Sequence, residues 1–137
     1  MVSVNALGWA WIVSVLALAL HVADEATHNF LAWYNPHVLR FRQALGGLPF
    51  PPTFTFWPWL LGLSAAVGGL ALLTPYAFAG ARWLVSLSRI VAIVHVLNGL
   101  LHLVGALRSR RAVPGVLSAP VLIAAGLWLW LAAGRVH

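Results

Sequence analysis

Asp24 and Glu25 are the only carboxylates in the chain, and they sit side by side between His21 and His28 in the apolar run HVADEATH. Imidazole and carboxylate are ordinary ligands for divalent zinc, iron, manganese or copper. In helical bundles such sites are built from inward side chains on facing helices, often with a Glu-x-x-His spacing, which Glu25-Ala26-Thr27-His28 reproduces. With His21 set at zero on a helical wheel, His28 falls within about 20°, Glu25 about 40° to one side and Asp24 about 60° to the other. The four side chains therefore share one stripe. A second stripe follows later, where His95, Asn98 and His102 occupy i, i+3 and i+7. Ser14 and Ser88 extend the two stripes by another seven residues each.

This pattern predicts a metal site whose ligands come from His21, Glu25, His28, His95 and His102. Asn98 is expected to contact the cofactor or orient a ligand. Asp24, at the edge of the stripe, is expected to serve with Glu25 as a catalytic base or as an ion-pair partner, with Arg89 as one candidate. Zinc or iron suits this donor set best. Haem is the alternative, because histidines on two helices can supply both axial ligands. His37 and His137 read as solvated, and the eight tryptophans as interface anchors.

The elements that position these groups follow from composition. Hydrophobic residues make up 62% of the 137 and charged residues 7%, with a mean hydropathy of +0.93. That is far more apolar than a soluble domain. The expected fold is all-α: a four-span transmembrane helical bundle in a single domain, since each span takes about 20 residues. The spans are read at residues 8–33, 57–78, 82–107 and 113–133. A surface loop at 35–56 begins at the stop Asn35-Pro36 and is rich in proline and aromatics. The small residues GLSAAVGG of the second span suit close helix packing.

Measured back from ends at Trp33 and Leu107, the two stripes fall level if spans 1 and 3 run the same way. His21 then faces His95, and His28 faces His102. A net charge of +6, all from arginine, belongs to membrane flanks and not to nucleic-acid binding. Arg40, Arg42, Arg108, Arg110 and Arg111 follow spans 1 and 3, so the positive-inside rule puts those loops in the cytoplasm and both termini outside. The chain has no cysteine, which excludes thiolate ligands and disulfides.

The segment His21-Val22-Ala23-Asp24-Glu25 resembles the signature of the HXXEE-domain family of small bacterial integral membrane proteins, with Asp24 in place of the first glutamate. The resemblance extends to the histidines and asparagine of span 3. It implies a compact multi-span module in the bacterial inner membrane and a polar intramembrane site, without naming a substrate.

Three functions are compatible with these features. The first is a metal-dependent hydrolase or oxidase acting on a lipid-like or small apolar substrate. The second is a haem- or pigment-binding or structural subunit, within a homo-oligomer or larger membrane complex. The third is a proton or metal-ion conduit. Charged groups inside a bilayer are costly enough to mark a working site in each case.

Overall fold

In a computed structural model, described over residues 2–136, the chain forms six helices: α1 (Val2–Thr27), α2 (Phe30–Ala44), α3 (Phe56–Leu72), α4 (Thr74–Phe78), α5 (Arg82–Ser109) and α6 (Ala119–Ala133). No strand is present among the described residues. Residues 5–27 and α5 are long and apolar enough to cross a membrane, while α3 and α6 are shorter apolar helices. His137 lies outside the described residues.

α6 packs between α1 and α5 and makes the two most extensive interfaces. Glycines permit the closer of these. A Cβ on Gly99 would meet Ile123 Cγ1 at 2.5 Å, and one on Gly126 would meet the Ala92 carbonyl at 2.9 Å. Small residues at a helix seam permit such close backbone approach. The main apolar core, including Leu7, Trp11, Leu84 and Leu129, fills the end of the bundle away from the ionisable cluster.

Several sequence expectations shift. The first helix stops at Thr27, six residues before Trp33, because Asn29 adopts a left-handed conformation (φ 57°). Asparagine tolerates that conformation better than most residues. The chain then starts a new helix that runs through Pro36 to Ala44, so Asn35-Pro36 is not a stop and the irregular segment is confined to 45–55. Asn35 instead clamps the returning chain, donating from Nδ2 to the Phe54 carbonyl at 2.9 Å and accepting from its N–H at 3.1 Å.

The segment expected as one span at 57–78 forms two helices, α3 and α4. Pro75 has no N–H to offer the Ala71 carbonyl, and Thr74 Oγ1 donates to that oxygen at 2.7 Å in its place. The small residues of α3 are not packed within the chain, since Gly62, Gly68 and Gly69 face open space. The helix expected at 113–133 is α6, which begins at Ala119. Trp11 and Trp59 are buried and so are not interface anchors. Trp11 Nε1 donates to the Leu70 carbonyl at 3.0 Å, tying α1 to α3.

Candidate metal centre

His21 and Glu25 lie one turn apart on α1 and face His102 of α5. Glu25 Oε1 is 3.4 Å from His21 Nε2 and 3.1 Å from His102 Nε2. The two imidazoles meet edge to face with centroids 4.8 Å apart. All three residues are buried, at 1%, 4% and 3% exposure. One ligand atom from each falls within 4.8 Å of the others. His21 Nε2 and His102 Nδ1 have no hydrogen-bond partner.

The turn at 113–118 closes this centre. Gly115 takes φ +84°, and a Cβ there would stand 2.7 Å from His102 Cε1 and 3.0 Å from His21 Cε1. Only glycine combines that backbone conformation with that proximity. On the far side of His102 the rings of Phe30 and Trp33 tilt over the imidazole, with centroids 5.8 and 6.2 Å away.

Asp24 points to the other flank of α1. Its Oδ2 accepts from both the backbone N–H of Ser118 at 2.9 Å and its hydroxyl at 2.7 Å, while Oδ1 lies 2.9 Å from His28 Nδ1. Ser118 precedes α6 and makes no side-chain cap of its own. Asp24 therefore supplies, from another helix, the carboxylate that a helix N-terminus favours. Ser118 Oγ in turn lies 2.8 Å from His21 Nδ1.

No family model, curated protein or solved structure matches this chain. The chemistry of the site is read from its own donor set. Two imidazoles and one carboxylate form the ligand set of hydrolytic zinc sites and of non-haem iron oxygenases alike.

Three of the five residues read as ligands are thus together, and two stand apart. His28 lies beyond the end of α1 with its side chain 54% exposed, paired to Asp24. His95 is buried two turns up α5, with Nε2 3.2 Å from the Ser14 carbonyl. The helices run in parallel as expected, but His102 faces His21 and His95 faces Ser14. The register is therefore one heptad away from the His21–His95 and His28–His102 pairing. The early end of α1 accounts for this, because depth counted from Trp33 overstates the length of the helix by six residues. Asn98 lines a cavity between α2 and α5. Arg89 is exposed, and the groups within 4 Å of the two carboxylates that could carry positive charge are, among the described residues, histidines.

Ser118 and Gly115 belong to the site and were not among the sequence candidates. Ser118-Ala119-Pro120 is a helix-start pattern, with a capping residue type followed by proline in the first turn. It marks 113–118 as a turn that can fold over the centre.

The cavity beside His102 has a volume of about 510 Å³, and its walls include Phe30, Trp33, Val38, Phe41 and Leu101. That lies within the usual range for small-molecule pockets. Tyr34 also lines it and donates its hydroxyl to the Pro52 carbonyl at 3.2 Å. Burial pushes the Tyr34 phenol above its usual range, so it stays a neutral donor.

Proposed function

We propose that the protein is a membrane-embedded metalloprotein that binds a divalent cation through His21, Glu25 and His102 and acts on an apolar, lipid-like substrate held between α2 and α5. The observation that carries this reading is the buried three-residue group, whose ligand atoms converge within 4.8 Å while His21 Nε2 lacks any hydrogen-bond partner. A buried carboxylate facing two imidazoles is costly without compensation, and a cation supplies it. Bound there, zinc would provide a Lewis acid and lower the pKa of a bound water for hydrolysis, whereas iron would support oxidation or desaturation. The apolar cavity ends against His102, which brings the substrate's polar end to the centre. Asp24 has both oxygens engaged by Ser118 and His28, which suits it to holding the site in shape more than to acting as base.

Membrane insertion is supported by the apolar residues that α5 leaves exposed, among them Ile90, Val94 and Leu107 at 59%, 55% and 77%. In this reading α1 and α5 span fully. α3 and α6, with 17 and 15 residues, reach about 25 and 22 Å. Both fall short of a hydrocarbon core of about 30 Å, and α4 and the 113–118 turn complete the two crossings. The arginines after α1 and α5 set the cytoplasmic side. The HXXEE-like segment supports a bacterial inner membrane.

Haem between His21 and His102 is disfavoured, since rings 4.8 Å apart and edge to face leave no slab for a macrocycle. A conduit is the second reading. It is favoured by Ser14 Oγ, Ser88 Oγ and His95 Nδ1, which are buried without partners along the same two helices. Elemental analysis after chelator-free purification tests the first reading, which expects about one metal per chain. Proton flux in liposomes from metal-free protein would favour the second.

A further inference from the structure

The contacts around Ser118 determine where the proton on His21 resides. A serine hydroxyl carries one hydrogen and can also accept. Ser118 Oγ has three partners in reach: Asp24 Oδ2 at 2.7 Å, the Gly115 carbonyl at 3.2 Å and His21 Nδ1 at 2.8 Å. The first two can only accept when Asp24 is ionised. Oδ2 also receives the Ser118 backbone N–H at 2.9 Å, so it faces two donors from one residue and acts as their common acceptor. The hydroxyl hydrogen is thus committed to Asp24, the shortest contact. Its oxygen must then accept from His21, which puts a hydrogen on Nδ1.

A neutral imidazole protonated at Nδ1 is bare at Nε2. That nitrogen faces Glu25 Oε1 at 3.4 Å and makes no hydrogen bond, as expected of two acceptors turned toward each other. The opposite tautomer would need a neutral Asp24 and an Nε2–H that nonetheless fails to bond the carboxylate in front of it.

We propose that Ser118, anchored by Asp24, is a positioning residue that fixes His21 as the Nδ1–H tautomer, so that Nε2 offers its lone pair to a divalent cation shared with Glu25 and His102. The use of that lone pair rests on the metal reading above. The tautomer itself does not. Outer partners of this kind orient ligating histidines in metal sites generally, and their loss weakens metal affinity by about 10–100-fold.

The test is nitrogen NMR of ¹⁵N-histidine-labelled, chelator-treated protein in nanodiscs, with His21 assigned by its loss in His21→Gln, followed by titration with zinc. The expected result is a protonated Nδ1 and bare Nε2 at His21 in the wild type. Ser118→Ala loses that preference and weakens zinc binding about 10–100-fold, and Ser118→Thr, which keeps the hydroxyl, restores both. An Nε2–H tautomer in the wild type, or an unchanged tautomer in Ser118→Ala, overturns the proposal. Should Ser118→Ala fail to fold, the wild-type and Ser118→Thr spectra still decide. A wild type with the expected tautomer that binds no zinc upholds the positioning role and overturns the metal reading.

Discussion

His102 Nε2 lies 3.1 Å from Glu25 Oε1, joining α5 to α1 through side chains in the interior of the bundle. Direct backbone packing between these two helices is sparse, and α6 packs against both of them. The contact is therefore a bridge made by functional groups, and its loss should be felt at the site before it is felt in the fold.

Glu25→Gln keeps the shape of the side chain and removes its charge. It should leave the bundle folded and reduce bound metal to below about one-tenth of wild type, since removal of outer partners alone costs 10–100-fold in affinity and Glu25 would be a direct ligand. Metal content and circular dichroism of the same preparation check both parts.

His95 separates the two registers. If it faced His21, His95→Ala would abolish metal binding. Because it contacts the Ser14 carbonyl instead, the variant should retain its metal and lose about 1–3 kcal/mol of stability, within the usual range for a buried truncation. Thermal unfolding in detergent beside metal analysis distinguishes these results.

Gly115→Ala would force an alanine to φ +84° and drive its Cβ to 2.7 Å from His102. Strain of this kind costs about 1–3 kcal/mol, and the displaced imidazole should weaken metal binding as well. Gly46, at φ +78° with nothing within 4 Å, is the control: Gly46→Ala should show strain alone, with metal binding unchanged.

Gly126→Val tests the α5–α6 seam. Its Cβ would already meet the Ala92 carbonyl at 2.9 Å and His95 Cβ at 3.0 Å. The helices must separate, at a cost of about 1–3 kcal/mol or more for overpacking. A lowered unfolding temperature is expected, and a wild-type value would contradict the packing described.

Much of this arrangement was legible in the sequence. Four ionisable groups in eight residues announced a site, the wheel angles separated Glu25 from Asp24, and the seven-residue spacing of His95 and His102 identified α5 as the second wall. The parallel run of α1 and α5 is the one assumed for the first and third spans when the stripes were levelled. The register was not legible, because aromatic residues up to Trp33 continued the apolar pattern past Asn29, where one left-handed residue ended the helix. Periodicity reports which residues share a face but not where a backbone turns.

The third wall was hidden for a different reason. Gly115 and Ser118 are small, common residues with no chemical signature, and their importance comes from a turn that brings them against His21, Asp24 and His102. Only the helix-start pattern at Ser118-Ala119-Pro120 hinted that 113–118 was not helical. The cavity was equally invisible, since it depends on α2 continuing as a helix through Pro36 to place Trp33, Val38 and Phe41 opposite α5.

The central claim is that His21, Glu25 and His102 hold one divalent cation, and metal content per chain, measured side by side in wild type, His102→Ala and His95→Ala, tests it most directly. About one metal per chain is expected in the wild type and in His95→Ala, with loss in His102→Ala. Absence of metal from wild-type protein purified without chelator and supplied with zinc and ferrous iron, or its retention in His102→Ala, would contradict the account.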